Sequence, residues 1–369
     1  MVRLNQATDG TPANAVAESA LGRWSRRCLT IPLYLTLGGT TLVLLPLLVL
    51  VAAVIDGVWG QRLGTVRCVL ALALYIVCEA AGLIASFVLW LVSGVWAGGS
   101  RVRFAGWNNE LQNLWARTLF HGAARIFGMT LRVEGDSDFG DQPIFVFIRH
   151  ASTVDTLLPA VLIEHPYGFR LRYVMKRELL WDPCLDVVGQ RTRHLFVRRG
   201  STDGAKEIDA VRRLAADLRG REGVLLYPEG TRATPEKRAR IMEKLAQTSD
   251  QQRLEAARQL RHTLPPRLGG ALALLESRPD VAALFVAHVG FDGVASLRDL
   301  WQGVLVGRGL RVMMWKVEAS DIPPSSNERI AWLDRQWIKI DRWVDANLPD
   351  RRVADSTTAA VLFDATDKP

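Results

Sequence analysis

A histidine and an aspartate five residues apart are the first candidates for chemistry in this sequence. His150 offers an imidazole base, whose ordinary pKa lies near neutrality, and Asp155 offers a carboxylate that can orient it. At about 100° per residue, positions five apart lie on different faces of a helix. The two side chains therefore meet only if His150 lies in a turn and Asp155 in the first turn of a following helix.

Ser152 gives the same segment a second interpretation. A serine three residues before a carboxylate, ahead of the apolar pair Leu157 and Leu158, is typical of a capping box at a helix start. In that case Asp155 serves backbone N–H groups. The two roles of Asp155 are compatible, and the sequence leaves both open.

A second segment, residues 229–232 with the sequence Glu-Gly-Thr-Arg, is suited to an anionic ligand. It follows the apolar run Gly223–Leu226, as His150 follows the apolar run Ile144–Ile148. Ligand sites on open α/β sheets lie where strands end. A base after one strand and an arginine after another indicate group transfer to a phosphorylated alcohol.

Two long apolar stretches raise the hydrophobic content to 49% and the mean hydropathy to +0.09. Residues 28–55 carry no charged side chain, and residues 68–100 carry only Glu79. Each stretch is longer than the roughly 20 residues that cross a hydrocarbon core. The first is also too long for a signal-peptide core. We therefore predict two transmembrane helices within residues 28–100.

Arginines lie outside this predicted hairpin, at positions 23, 26 and 27 before it and at 101 and 103 after it. Because positively charged flanks stay in the cytoplasm, both ends and the remaining chain are predicted to be cytoplasmic, at the inner or plasma membrane. The alternative is a re-entrant hairpin that enters one leaflet. Glu79 is costly in lipid. We interpret it as a protonated residue against the other helix, or as a shallow one, in preference to a functional residue.

The formal net charge of +8 indicates an anionic partner. The sequence contains no zinc-finger, RNP or helix-turn-helix pattern, so we predict an anionic membrane lipid and no nucleic acid. The four cysteines include no CxxC pair, and the six histidines include no HExxH spacing. No metal site is predicted.

Strand and helix patterns alternate from Thr130 onward, which predicts an α/β domain with a largely parallel sheet. The clearest helical patterns are Asp203–Arg219 and Ser326–Ala346. The candidate strands are Thr130–Val133, Ile144–Ile148, Arg172–Val174, His194–Val197, Val224–Tyr227, Ala282–Val289 and Leu310–Val317.

The predicted organisation has five parts. The parts are a disordered cytoplasmic N-terminus (1–27), the two transmembrane helices (28–100), an amphipathic interfacial helix (101–128), the α/β domain (129–348, with the charged helical insertion 233–263) and a flexible tail (349–369). The amphipathic helix either lies in the membrane interface or packs on the following domain, and the charged insertion forms a solvated arm or a membrane-facing cover.

The His150–Asp155 and 229–232 motifs, in this order and at this spacing behind two apolar stretches, resemble the PlsC, or lysophosphatidic acid acyltransferase, superfamily of membrane glycerophospholipid acyltransferases. His150 and Asp155 match its His-x4-Asp block, and residues 229–232 match its Glu-Gly-Thr-Arg block in full. The resemblance covers about residues 105–345. The charged insertion and the segment 264–267 look most like the lysocardiolipin-acyltransferase-like branch.

Further residues match less specific blocks of this family. Phe196 and Arg199 match an aromatic residue followed by an arginine, and Lys176 matches a lysine at a strand end. Two positions depart from the pattern. Arg149 replaces the usual asparagine, where it would add an anion contact or alter the choice of acceptor, and His288 stands at or near the usual proline of the fourth block. We interpret His288 as a core or strand-end histidine.

The resemblance implies a membrane-anchored acyltransferase. It would move a fatty acyl group from acyl-CoA or acyl carrier protein to the free hydroxyl of a lysophospholipid, first of all 1-acylglycerol-3-phosphate, in phospholipid biosynthesis. His150 and Asp155 would be catalytic, and no metal or cofactor is implied. The substrate-binding residues would be Glu229, Gly230, Thr231, Arg232, Phe196, Arg199 and Lys176.

Other functions remain open. The acceptor can instead be lysophosphatidylinositol, lysocardiolipin or a lyso-ornithine lipid. A non-catalytic lipid-binding protein would not need the His150–Asp155 pair. A serine hydrolase is disfavoured because no Gly-x-Ser-x-Gly segment is present, and Ser152 is better explained as a helix cap than as a nucleophile.

Overall fold

The structure is a computed structural model that describes residues 18–60, 63–198, 204–248, 250–294 and 297–348. Residues 1–17 of the predicted disordered N-terminus (1–27) and the predicted tail from residue 349 lie outside the described residues, whereas residues 20–27 belong to the first helix.

Three long helices come first along the chain: α1 (Ala20–Trp59), α2 (Gly64–Ser93) and α3 (Arg101–Phe127). The first two are long and apolar enough to cross a membrane. They form the predicted hairpin, and α3 packs along α2. The predicted amphipathic helix therefore has a helical neighbour along its length.

A seven-stranded sheet forms the centre of the domain that follows, in the order β1-β7-β6-β2-β5-β3-β4. In the described residues every strand pair is parallel except β6–β7. All seven predicted strands are confirmed, as is the α/β class. The strands are β1 (Thr130–Gly135), β2 (Ile144–Ile148), β3 (Arg170–Lys176), β4 (Leu195–Val197), β5 (Glu222–Leu226), β6 (Ala282–Val289) and β7 (Gly309–Val317).

Helices cover both faces of the sheet. The π-helical turn Ala160–Glu164 and the 3-10 helices Val95–Ala97, Val154–Leu157, Arg177–Trp181 and Ala319–Asp321 lie between the longer elements. The remaining α-helices are α4 (His165–Tyr167), α5 (Pro183–Val187), α6 (Gly204–Ala215), α7 (Pro235–Ala246), α8 (Gln251–Gln259), α9 (Leu268–Ser277), α10 (Leu297–Trp301) and α11 (Ser326–Asn347).

The central strand β2 shows why these residues form this sheet. All five of its residues are buried. Phe145 and Phe147 pack with α6, α9 and α11, whereas Ile144, Val146 and Ile148 pack with residues of α3 on the other face. A continuous apolar run is typical of a parallel strand that is covered on both sides. Each such side chain contributes about 1.5–3 kcal/mol on burial.

The charged insertion contains two helices with different surroundings. In α7, whose residues are all described, none is buried, which fits both a solvated arm and a membrane-facing cover. In contrast, α8 packs on α11 and buries Leu254 and Ala257. Half of the insertion is therefore part of the domain.

The hairpin is attached to the domain at α5. The fully buried carboxylate of Asp186 accepts hydrogen bonds from Arg26 (2.9 Å) and Arg27 (3.1 Å) of α1. The Cys184 N–H donates to Glu79 Oε2 at 3.2 Å. Glu79 thus faces the domain, and the interpretation that it lies against the other helix of the hairpin is wrong.

We expect Asp186→Ala to loosen this attachment, because it leaves two arginines beside a buried, empty position. Removing one partner of a buried ion pair costs about 3 kcal/mol, which lowers Tm by several degrees in detergent. Asp209→Ala is the matched control, since Asp209 pairs with Arg213 on the exposed side of α6. Its loss should cost less than about 1 kcal/mol. Equal Tm values for the two variants would contradict the role of Asp186 in attaching the hairpin to the domain.

Candidate active site

The two sequence motifs meet at one edge of the sheet. Strand β2 lies between β5 and β6 and is parallel to both. The loop after β2, which carries His150, therefore lies beside the loop after β5, which carries residues 229–232. The sheet order places the predicted base next to the predicted anion-binding loop.

His150 and Asp155 form a hydrogen-bonded pair. His150 Nδ1 lies 3.0 Å from Asp155 Oδ1 and 3.3 Å from Oδ2. Asp155 Oδ2 also accepts the N–H groups of Ala151 (2.7 Å) and Ser152 (2.8 Å). One carboxylate thus orients the imidazole and ties its own loop. The helix that carries Asp155 is a 3-10 turn, Val154–Leu157.

This pairing sets the tautomer of His150. A carboxylate beside Nδ1 favours the proton on Nδ1 and leaves Nε2 as the acceptor. The His150 side chain is 15% exposed, whereas Asp155 is fully buried. The arrangement suits a base that takes a proton from a substrate and is stabilised from behind as it becomes charged.

Ser152 ties two loops together. Its hydroxyl is buried and donates to the Val294 carbonyl at 2.8 Å. The Val154 N–H donates to the same Ser152 hydroxyl oxygen at 3.4 Å. The residue in the N-cap position of the 3-10 turn is Thr153, which makes no side-chain cap bond. A buried hydroxyl that donates to a carbonyl has no base to activate it.

Glu229 is a buried bridge between three segments. Its Oε1 accepts the His150 N–H and its Oε2 accepts the Leu264 N–H, both at 2.9 Å. Burial raises the pKa of Glu229 to about 7, although these two N–H groups and Arg149 oppose the rise. Both carboxylate oxygens already accept hydrogen bonds from backbone N–H groups. That Glu229 also contacts the substrate stays a prediction.

The turn at Gly230 continues this loop. Gly230 has a φ of 68° and donates its N–H to the Tyr227 carbonyl at 2.9 Å. Lys237, in the first turn of α7, donates to Thr231 Oγ1 at 2.8 Å and to the Arg232 carbonyl at 3.2 Å. Sequence reasoning missed this lysine, because nothing in its charged helix distinguishes it from its neighbours.

The three residues from the less specific blocks are placed differently. Lys176 is half-buried at the end of β3. Phe196 is buried in the edge strand β4, three strands from β2 and so about 14 Å away. Arg199 lies outside the described residues. The structure therefore brings together His150, Asp155 and the 229–232 loop, but not Phe196; the substrate contacts of Phe196, Arg199 and Lys176 stay predictions.

The two departures from the family pattern contact each other behind the His150–Asp155 pair. Arg149 is buried and donates to the His288 carbonyl (2.6 Å) and to Asp292 Oδ1 (2.5 Å). His288 Nε2 lies 2.9 Å from the Arg149 carbonyl and 3.7 Å from Asp155 Oδ2. Arg149 is therefore held in the interior and not offered to an anion, contrary to the sequence-based expectation.

Electrostatics supports this description of the Arg149 cluster. Burial raises the pKa of Asp292, but several opposing effects, led by the charge and the hydrogen bond of Arg149, together exceed it, and the pKa is lowered. Burial lowers the pKa of His288 and favours a neutral ring. Among the described residues no His, Cys, Asp and Glu side chains gather in a group of three that could hold a metal ion. That the reaction needs no cofactor stays a prediction.

Comparison with known proteins identifies this domain. Residues 130–267 match the model of the Acyltransferase family, and that stretch contains both loops of the site. Residues 130–267 are an acyltransferase domain. The predicted superfamily and the enzyme class, an O-acyltransferase, are confirmed, whereas the lysocardiolipin-like branch stays a prediction.

One solved structure can be compared with this acyltransferase. It is the crystal structure of the 1-acyl-sn-glycerophosphate (LPA) acyltransferase PlsC from Thermotoga maritima. The TM-score is 0.39 and the sequence identity is 12%, over 74% of this chain and 100% of that chain.

The raised pKa of Glu229 predicts a pH-dependent stability. Its folded pKa is about 7 against an ordinary value of 4.5, so the folded protein holds a proton that the unfolded chain has released. This contribution is fully present below about pH 4.5 and is lost as the pH rises through about 7. Glu229→Gln removes the titration and leaves one buried N–H poorly paired, at a cost of about 1–3 kcal/mol.

The measurement is Tm in detergent from pH 5 to pH 8. The difference in Tm between the wild type and Glu229→Gln should shrink as the pH rises. Glu236→Gln is the control, because Glu236 lies on the exposed start of α7 and its pKa is lowered. A difference for Glu229→Gln that stays constant with pH would rule out the raised pKa.

Proposed function

We propose that this acyltransferase moves a fatty acyl group from a thioester donor, acyl-CoA or acyl carrier protein, to the hydroxyl of a membrane lysophospholipid. The first candidate acceptor is 1-acylglycerol-3-phosphate. The observation that carries the proposal is the His150–Asp155 pair, joined through Glu229 to the 229–232 loop in an acyltransferase domain.

In the proposed reaction His150 Nε2 takes the proton of the acceptor hydroxyl. The hydroxyl oxygen attacks the thioester carbonyl, so a C–O bond forms and the C–S bond breaks. The leaving thiolate takes the proton back from the imidazolium. Asp155 stabilises that imidazolium while it is charged, and general-base help of this kind contributes about 10²–10⁴ in rate.

The 229–232 loop would hold the acceptor phosphate. Gly230 brings the backbone close to the ligand, and Arg232 supplies a guanidinium. A charge-assisted hydrogen bond of this type contributes about 1.5–3 kcal/mol. Because the phosphate is remote from the reacting oxygen, this binding energy affects acceptor affinity more than turnover.

We also infer that the hairpin enters one leaflet, the alternative to a full crossing. Helix α2 contacts α3 and the domain over most of its length. The contacts run from Arg67, which donates to the Ile126 carbonyl of α3, to Ser86, whose carbonyl accepts from Arg191 of the domain. These contacts span about 30 Å at 1.5 Å per residue. A full crossing would place Arg191 and the polar residues of α3 inside the hydrocarbon core, which is costly.

The hairpin tip supports the same arrangement. Trp301 of the domain donates its indole N–H to Thr65 Oγ1 at 2.9 Å, and its ring lies 5.9 Å from that of Trp59. Both ends of the hairpin therefore contact one domain. The outer face of α1 exposes large apolar side chains along its length, which suits contact with acyl chains.

Two substitutions separate the proposed roles. His150→Ala should abolish thiol release from oleoyl-CoA even at saturating lysophosphatidic acid, because no base remains. Arg232→Ala should raise KM for that acceptor about 10-fold or more with a smaller effect on kcat. The assay is thiol release by the detergent-solubilised protein with a panel of lysolipids.

The panel also decides between functions. Release that depends on another lysolipid keeps the mechanism and changes the acceptor. Fatty acid formed without any lysolipid would indicate a hydrolase. Full activity of His150→Ala would overturn the mechanism, and no transfer from either donor type would favour a non-catalytic lipid-binding protein.

Membrane topology is tested by labelling single cysteines after the four native ones are replaced by serine. Val58→Cys lies near the hairpin tip at 74% exposure, and Val102→Cys lies after the hairpin at 84% exposure. With a one-leaflet hairpin, an impermeant maleimide should label neither from the outer side of intact vesicles. Outer-side labelling of Val58→Cys alone would show that the hairpin crosses the membrane.

A further inference from the structure

Arg267 lies directly on the turn at Gly230. A Cβ added at Gly230 would lie 2.7 Å from Arg267 Nε and 2.8 Å from its Cδ. Gly230 is required by its positive φ, and a Cβ at this position would also displace the side chain of Arg267. Arg267 itself is exposed, so its guanidinium is accessible beside the 229–232 loop.

The segment that carries this arginine, residues 261–267, is fixed at several points; we call it the strap. Asp341 of α11 is buried and accepts the N–H groups of Arg261, His262 and Thr263, each at 2.8 Å. Leu264 is held by Glu229, as described above. The strap is thus tied both to α11 and to the site.

The end of the strap is fixed as well. The Arg267 N–H donates to the Pro228 carbonyl at 2.8 Å, and the guanidinium of Arg253 in α8 donates to the Pro266 carbonyl. Two successive prolines, Pro265 and Pro266, restrict the backbone immediately before Arg267. The backbone of Arg267 is therefore placed in advance, so no backbone ordering is needed when its side chain binds a ligand.

No structural partner accounts for the guanidinium of Arg267. Within the described residues it makes no hydrogen bond and no ion pair, whereas Arg253 is engaged by Pro266 and lies 3.8 Å from Asp334. Nearby Arg261 and His262 are also paired, with Asp345. Arg267 is the exposed cation of the strap that has its charge available for a ligand.

We propose that Arg267 is a second phosphate-binding residue, which acts together with Arg232 on a phosphate monoester of the substrate. The inference rests on the proposed function and deepens it. Arginine is suited to this role because its planar fork matches phosphate oxygens. Such a phosphate is present both in the headgroup of lysophosphatidic acid and at the 3′ position of coenzyme A, and the experiment separates the two.

The test compares Arg267→Ala, Arg267→Lys and the control Arg258→Ala, an exposed arginine of α8 paired with Glu255. Initial rates are measured with each substrate varied at saturating concentration of the other. We expect Arg267→Ala to raise KM for lysophosphatidic acid about 10–100-fold with kcat within about threefold. Arg267→Lys should recover part of the loss, and KM for monoacylglycerol, which lacks the phosphate, should not change.

Other outcomes are equally specific. A rise in KM for oleoyl-CoA that disappears with the 3′-dephospho donor assigns the phosphate to the donor and keeps the role of Arg267. Unchanged KM values for both substrates, or an equal rise with monoacylglycerol, overturn the proposal.

A binding measurement keeps this test separate from the proposed function. Glycerol 3-phosphate should raise Tm of the wild type and of Arg258→Ala but not of Arg267→Ala. If the wild type transfers no acyl group, the proposed function fails. The Tm shift with glycerol 3-phosphate then tests by itself whether Arg267 binds phosphate. Equal shifts in all three proteins would show that Arg267 binds no phosphate.

Discussion

The geometry of the site depends on one buried carboxylate, that of Glu229. Its two oxygens hold the backbone of His150 and of Leu264, which belong to different loops at the same sheet edge. Burial disfavours the ionised form of this carboxylate and so raises its pKa. The two N–H groups and Arg149 stabilise the ionised form and offset part of that effect. Because the bonds go to main-chain N–H groups, Glu229 fixes the backbone position of His150 and of the middle of the strap.

The same kind of interaction recurs around the site. Asp155 holds two N–H groups of its own loop, and Asp341 holds three N–H groups of the strap. A carboxylate accepts several directional bonds at once, so it fixes an irregular segment that has no helix or strand to define it. Loops at the end of a parallel sheet are thereby made rigid without long regular elements, and the side chains of His150 and Arg267 are left for a ligand.

Sequence patterns predicted what depends on local order. The continuous apolar run of β2 predicted the central strand of the sheet. The spacing from His150 to Asp155 predicted the pair that lies at the end of that strand. They did not predict the contact between Arg149 and His288, because these residues are 139 positions apart and meet only through the pairing of β2 with β6. The position of Arg267 on Gly230 was missed for the same reason: a proline-rich loop shows neither its tether to Asp341 nor where it ends.

Composition also predicts the length and apolarity of a helix but not what covers it. On α2 the polar groups of Tyr75 and Glu79 both face the domain, where they contact Asp182 and Cys184. At Gly82 the approach is so close that a Cβ would lie 2.7 Å from Cys184 Sγ. A helix surrounded by lipid would gain nothing from such a face, whereas a helix between lipid and protein needs it. The carboxyl group of Glu79, unusual in an apolar stretch, is therefore explained by the protein surface against which it lies.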